Sequence, residues 1–373
     1  MKIGLITTAM DDMKAGIGWY CHNLIKSIIE LDRDNEYILI HRQKSNDSLY
    51  RMCEELIIPY SKIIPMKRTI GNNLQLPLKL RNYNFDIIHE LSQLPIFWTE
   101  INSRKIITIH DLSPLLYPET FDIFTVNLNR YLLPHALKRA DIVIAVSNNT
   151  RKDLIRIFKL PEEKIKVTYL GVNEFFKPIE VSESFLKKYK ISKPYILYVG
   201  TLEPRKNIPT LLKAFYKLKK KYKIPHTLVV VGKIGWKYHE IFKILDILKL
   251  QKYIIFTGYV PIEDLPKLYS SADIFVYPSI YEGFGLPPLE AMACGCPVVT
   301  TNVSSLPEIV GDAGVKVNPY DVVGLATAIY DVITDESLKR ALSTKGINRA
   351  KKFNWKITAK KTLDIYKSII HGD

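Results

Sequence analysis

The sequence predicts an α/β protein of two doubly wound domains, each a parallel sheet covered by helices on both faces. Three observations lead there. At 373 residues the chain is too long for one ordinary core. Short apolar runs alternate with helical patterns along it, as crossover connections between parallel strands require. The series also starts twice, at Lys2 and again at Tyr195, with a stretch of no clear period between.

In the first series, Lys2–Ala9 is mostly apolar, as a central parallel strand should be. A loop through Asp11-Asp12-Met13-Lys14 leads to Gly16-Ile17-Gly18, and Leu24, Ile25, Ile28 and Ile29 then repeat at helical spacing. The third glycine of a dinucleotide fingerprint is missing, so the turn speaks for close backbone approach by a ligand and not for NAD. Strands are expected at Tyr37–Ile40, Asp86–His89, Ile106–Ile109, Ile142–Val146 and Ile165–Tyr169, with Ser147 capping the helix through Leu154. This domain is assigned residues 1–172. Residues 173–193, polar and aromatic around Pro178, are expected to be a linker.

The second domain, 194–353, carries strands at Tyr195–Gly200, Leu228–Gly232, Ile254–Phe256, Ile274–Tyr277, Val298–Thr300 and Val315–Val317. From Asp321 onward the pattern is helical, broken near Phe353-Asn354, which sets 354–373 apart as a final helix.

Composition narrows the function. With 47% hydrophobic and 24% charged residues the chain is globular, and no apolar run approaches the ~18 residues of a membrane span. The start is too short in apolar residues for a signal peptide, and Cys21, Cys53, Cys294 and Cys296 lack zinc spacing; a cytoplasmic protein with reduced thiols is expected. The net charge of +15 divides into +4 before residue 173 and +11 from there on. It favours anionic partners such as nucleotides or a membrane surface. Nucleic acid is not expected, because the basic run Lys217–Lys223 falls at a helix C-terminus, where cations complement the dipole.

In open α/β sheets ligands bind beyond the carboxyl ends of the strands. Candidate residues there are Gly16 and Gly18, His110, Gly200 with Arg205 and Lys206, and Tyr281–Ala293 with Glu282 and Glu290 eight positions apart. Two glycines and a Pro-Pro pair separate those carboxylates, so Glu290 is expected in the first turn of a helix ended by Gly295. A Gly-rich turn opening a helix presents N–H groups to an anion, while carboxylates accept hydroxyls. Together they suit a phosphorylated sugar or nucleotide. Arg205 and Lys206 stand before a helix N-terminus, where cations are unfavourable alone and call for an anion such as a diphosphate. No Asp-x-Asp pair or His cluster has to hold a metal, and neither metal nor cofactor is expected.

Tyr281-Glu-Gly-Phe-Gly-Leu-Pro-Pro-Leu-Glu290 resembles the E-x7-E signature of retaining glycosyltransferases of family 4, of the GT-B fold. Gly16-Ile-Gly18-Trp-Tyr20, Thr108-Ile-His-Asp111, Ala145-Val-Ser147, Gly200–Asn207 and Ser305-Leu-Pro-Glu308 match in the same order, so the resemblance spans nearly the whole chain. It implies two Rossmann-like domains facing each other across a cleft, with the last helix crossing back to the first. It implies that Arg205 and Lys206 clamp the donor diphosphate, with Gly16, Gly18 and Gly200 close to it. Glu282 would bind the donor sugar beside the N–H groups of Phe284, Gly285 and Leu286, Glu290 the ribose, and His110 the sugar near its anomeric centre. GDP-mannose is the first donor expected and a UDP-sugar the alternative; a GT-B epimerase or phosphorylase is a further one. The acceptor expected is a glycan or lipid-linked saccharide. The basic and apolar stretch Lys62–Arg81 is a candidate for peripheral contact with an anionic membrane at its inner face.

Overall fold

The computed structural model describes residues 1–11, 16–44, 47–59, 76–93 and 101–372. Two compact units divide it: Met1–Gly171 with Asn354–Asp373, and Val172–Phe353.

The first unit holds a seven-stranded parallel sheet of β1 (Lys2–Ile6), β2 (Glu36–His41), β3 (Glu54–Ile57), β4 (Ile87–Glu90), β5 (Arg104–Ile109), β6 (Ile142–Ala145) and β7 (Ile165–Val167). Their spatial order is β3-β2-β1-β4-β5-β6-β7. Central strands are buried on both faces, so they read as unbroken apolar runs; Ile3, Leu5 and Ile6 of β1 are all fully buried. β3 was not expected. Its Glu54-Glu55-Leu56-Ile57 lies at the sheet edge, half solvated, where charged side chains are tolerated and the apolar signal disappears.

The helix Gly16–Leu31 begins directly at Gly16, so both glycines sit in its first turn and not in a turn before it. Its Tyr20, Leu24, Ile25 and Ile28 are buried, and it packs against Trp355–His371, the final helix of this unit. That helix buries Trp355, Thr358, Ala359, Thr362, Leu363 and Tyr366 along one stripe of helical spacing. Most of the stretch proposed for membrane contact, residues 62–75, lies outside the described residues. Its described end, Leu76–Leu80, is a short helix with Leu76 and Leu80 buried.

The second unit holds a six-stranded parallel sheet of β8 (Tyr195–Val199), β9 (Thr227–Val231), β10 (Ile254–Gly258), β11 (Ile274–Tyr277), β12 (Val298–Thr301) and β13 (Gly314–Val317), in the order β10-β9-β8-β11-β12-β13. Residues 173–193, expected as a linker, belong to this unit. Phe176, Leu186 and Ile191 are buried in it and Glu183–Lys188 is helical, capped by Ser182. The stretch lacks a period because its apolar residues insert singly among loops.

Each sheet order reverses at one place, between β1 and β4 in the first unit and between β8 and β11 in the second. Strand connections leave in opposite directions there and open a crevice at the carboxyl edge.

Candidate active site

In the second unit the segments after β8 and β11 meet at that crevice. β8 runs through Gly200 into a 3₁₀ turn at Pro204–Lys206, and β11 runs into Pro278–Glu282. The β8 segment stays close to the neighbouring loop because residue 232 is glycine: its φ is +145°, and a Cβ there would lie 2.0 Å from the Gly200 carbonyl oxygen. Asn207, at φ +55°, ends the turn and donates from Nδ2 to the carbonyls of Pro278 (3.1 Å) and Pro319 (2.7 Å). Thus the turn bearing Arg205 and Lys206 is tied to the β11 side.

Glu282 is the centre of the cluster. Its Oε1 accepts from Lys206 Nζ (2.6 Å), Ser279 Oγ (2.6 Å) and Tyr277 OH (3.0 Å). Its Oε2 lies 3.0 Å from an Arg205 guanidinium nitrogen. That guanidinium also reaches Glu203 Oε1 (2.7 Å) and the Tyr281 carbonyl (2.6 Å). Lys206, Glu203 and Glu282 are buried. Burial alone would raise the Glu282 carboxyl, but the charges of Arg205 and Lys206 hold it down to about 2. Burial raises Glu203, with Arg205 opposing it. Burial and the neighbouring Arg205 lower Lys206, while the Glu282 and Glu203 carboxylates oppose that shift. Two cations and two carboxylates therefore share one dry site. The anion that the Arg-Lys pair calls for is supplied within the chain, by Glu282 and Glu203.

The loop after Glu282 is fixed by hydroxyls. Ser304 Oγ accepts from the Glu282 N–H (2.9 Å), and Ser305 Oγ donates to the carbonyls of Glu282 (2.9 Å) and Phe284 (2.7 Å). Gly285, at φ +105°, is the N-cap of the helix Leu286–Ala293, a backbone position that disfavours other residues. The N–H groups of Gly285 and Leu286 make no backbone hydrogen bond among the described residues. Because the helix starts at Leu286, Glu290 falls in its second turn and not its first. There the carboxyl accepts from Tyr269 OH (3.0 Å), and burial pushes it up to about 7.

In the first unit, His110 directly follows β5. Its Nε2 faces the Leu91 carbonyl at 2.8 Å; a carbonyl can only accept, so Nε2 carries the proton. Burial lowers the imidazole below its ordinary range, which leaves it neutral with Nδ1 as an acceptor. Gln93 Oε1 accepts from the N–H groups of His110 (2.8 Å) and Asp111 (3.1 Å). The Tyr20 ring, two residues past Gly18, meets the His110 ring edge-on at 4.7 Å. Tyr20 OH also pairs with Thr108 Oγ1 (3.2 Å), Thr108 with His89 Nε2 (2.8 Å), and His89 Nδ1 with Tyr366 OH (2.7 Å). This buried relay ties the final helix to the residues around His110.

The structure thus joins Arg205, Lys206 and Glu282 directly and puts Glu290 in the second turn of the helix that follows; in the first unit His110 meets Tyr20, whose helix has Gly16 and Gly18 in its first turn. Glu203, Tyr277, Ser279 and Ser304 complete the cluster without having been singled out from sequence. Ser279 carried a weak signal, a hydroxyl directly after a buried strand.

Comparison with known proteins adds independent information. The family model for Glycosyl transferases group 1 matches residues 182–349, and that for Glycosyltransferase Family 4 matches residues 15–174. O-antigen chain mannosyltransferase B of Escherichia coli is 39% identical over 98% of this chain and 100% of its own length. O-antigen chain mannosyltransferase RfbU of Salmonella typhimurium is 34% identical over 64% of this chain and 63% of its own. Among solved structures, sucrose-phosphate synthase from Thermosynechococcus elongatus superposes with a TM-score of 0.82 at 24% identity, covering 100% of both chains. HepE of Anabaena, solved with UDP and glucose, gives 0.77 at 21% identity, covering 99% of this chain and 100% of that one.

Proposed function

The chain belongs to the glycosyltransferases of group 1 and family 4, and on that premise we propose that it moves a mannosyl group from GDP-mannose to a lipid-linked glycan of the O-antigen type, with retention of anomeric configuration. The observation that carries this is the buried Arg205–Lys206–Glu282 cluster at the β8/β11 crevice, in a chain 39% identical to an O-antigen mannosyltransferase along its whole length.

Breaking the bond between a sugar and a nucleoside diphosphate develops negative charge on the departing phosphate. Cations and N–H dipoles fixed in advance stabilise that charge at little reorganisation cost. Arg205 and Lys206 take this role, with the N–H groups of Gly285 and Leu286 beside them. Glu282, held ionised, offers acceptor lone pairs to the sugar hydroxyls together with the N–H of Phe284; Glu290 takes the ribose hydroxyls. On the first unit, Gly16 and Gly18 let the backbone approach the diphosphate, Gly200 does the same on the second, and His110 offers neutral Nδ1 to a sugar hydroxyl. No metal is needed in this scheme. The reaction takes place in the cytoplasm, at the inner face of a membrane that carries the acceptor.

A donor panel tests the reading. The protein is incubated with GDP-mannose, UDP-glucose or UDP-N-acetylglucosamine and a mannose-terminated lipid-linked acceptor, with transfer followed by mass spectrometry and the new anomeric proton by NMR. Transfer from GDP-mannose with an α-configured product is expected. Transfer from a UDP-sugar alone, or none from any donor, overturns the donor assignment.

A further inference from the structure

We propose that Glu203 is the positioning residue for Arg205: it fixes the guanidinium in advance and, by cancelling charge beside it, limits how tightly a diphosphate is held. The proposal rests on the diphosphate role given to Arg205 and Lys206 above. Glu203 is the N-cap of the turn Pro204–Lys206, yet its side chain makes no capping hydrogen bond. Its carbonyl receives the Lys206 N–H (3.1 Å), and its carboxylate turns instead to Arg205, with Oε1 at 2.7 Å and the side chain 3% exposed. The backbone on either side is tied down. Leu202 donates to the Lys233 carbonyl (2.9 Å) and accepts from the Gly235 N–H (3.0 Å). The Arg205 carbonyl accepts from the Ile280 N–H (3.0 Å) and Ser279 Oγ (3.1 Å). What remains to be placed is the Arg205 side chain.

Glu203 does this by dividing the guanidinium fork. One terminal nitrogen meets the Tyr281 carbonyl (2.6 Å) and Glu282 Oε2 (3.0 Å), and the other meets Glu203. Without Glu203, both terminal nitrogens could close on Glu282 as a bidentate pair, the geometry that guanidinium and carboxylate favour. A fork closed in that way is turned from a diphosphate. It also takes from Glu282 the acceptor positions that a sugar needs.

Charge supplies the second half of the argument. Glu282 already has Arg205 and Lys206 as counter-ions, so Glu203 is not needed to compensate it. With Arg205, Lys206 and Glu282 alone the cluster keeps one net positive charge, and an ionised Glu203 brings it to zero. Burial works against that ionisation and so does Glu282, while Arg205 and Lys206 support it. The Tyr198 phenol faces the same group, and burial raises it, with Glu282 and Glu203 adding to the shift. Burying a second carboxylate costs desolvation and weakens the pull on an anion. A site built only to bind gains nothing from it. A transferase does, because uniform tight binding of the diphosphate, before and after transfer, does not speed turnover.

The test compares wild type, Glu203→Gln and Glu203→Asp by titration calorimetry at pH 8 with GDP, UDP and inorganic pyrophosphate, alongside rates of sugar transfer. Glutamine keeps the shape and the acceptor for Arg205 but not the charge; aspartate keeps the charge and falls short by one methylene. Glu203→Gln should bind all three probes more tightly by a common factor, on the order of tenfold. That is roughly the effect of one unit charge on another about 10 Å away at an effective dielectric constant of about 20. Glu203→Asp should leave those affinities near wild type and lower kcat by up to about 10² through misplacement of Arg205. A lowered melting temperature in Glu203→Gln with unchanged affinities overturns the proposal, because Glu203 would then be structural only. So does tightening in both variants alike, which charge does not explain, or wild-type kcat in Glu203→Asp. Failure of the wild type to bind any of the three probes overturns the diphosphate role of Arg205 and Lys206 as well. The expected affinity changes without sugar transfer would leave Glu203 as assigned and overturn the reaction instead.

Discussion

Replacing Lys206 by alanine removes one of the two cations assigned to the leaving diphosphate and one partner of a buried ion pair. The two effects are separable. In the folded protein, Glu282 Oε1 loses its 2.6 Å contact to Nζ but keeps Ser279 and Tyr277, and Oε2 keeps Arg205. Breaking a buried pair typically costs about 3–5 kcal/mol, and the remaining partners place this case near the lower end, about 3 kcal/mol. For a unit of this size that corresponds to a fall in melting temperature of roughly 6–12 °C. On catalysis, losing one preplaced group that stabilises transition-state charge lowers kcat by about 10²–10³, or roughly 2.7–4 kcal/mol. Lys206→Met, which keeps the stem packing, should show the same loss of kcat with a smaller loss of stability. The assay pairs initial rates of sugar transfer with thermal unfolding of each variant. Near-normal kcat in Lys206→Ala together with a lowered melting temperature would refute the argument, because Lys206 would then be a structural partner of Glu282 and nothing more.

Other consequences can be measured separately. Glu290→Gln should change the pH dependence of stability. The folded-state carboxyl is raised to about 7 from an ordinary 4.5 by burial, so the folded state holds more protons than the unfolded one between those values and wild-type stability falls as pH rises through them. The Gln variant should flatten that decline, gaining at most about 3 kcal/mol at pH 8, while donor affinity, which in the wild type should tighten as pH rises past 7, becomes independent of pH. His110→Ala should cut kcat by about 10², and no wild-type ionisation above the ordinary imidazole range should be traceable to His110, because burial lowers it. His89 is lowered by burial to about 3, so below its ordinary 6.5 the unfolded state binds the extra proton and stability is lost as pH falls from 6.5 toward 3. His89→Phe should remove that acid sensitivity, lower stability at pH 7 by about 1–3 kcal/mol by leaving the Tyr366 hydroxyl without its His89 partner and Thr108 with Tyr20 alone, and speed hydrogen exchange in residues 355–371.

The sheets were legible because parallel strands buried on both faces must be largely apolar, and β8, β9 and β11 of the second unit announced themselves so. β3 did not, since an edge strand can carry Glu54 and Glu55 in solvent. At the active site the loops were legible, because glycines, prolines and charges cluster there in short segments. What was not legible was their pairing. Lys206 and Glu282 are 76 residues apart in sequence, and nothing local says that the anion facing Lys206 is a side chain of the same chain. The raised carboxyl of Glu290 was equally hidden, for it depends on burial beside Tyr269, brought in from another helix. Residues 173–193 were misleading for a related reason: apolar side chains that pack singly leave no repeat to detect.

The first unit is made of two pieces separated by all of the second, and this sets an order of assembly. During synthesis the ribosome releases the whole of Val172–Phe353 before the helix Trp355–His371 exists. Until then the helix Gly16–Leu31 lacks the helix that packs against it, and His89 lacks the Tyr366 hydroxyl. The second unit has its strands and helices in one continuous segment and can mature first. A nascent chain is therefore exposed for longest at its beginning, and a stop codon after Phe353 would damage the part of the protein translated earliest.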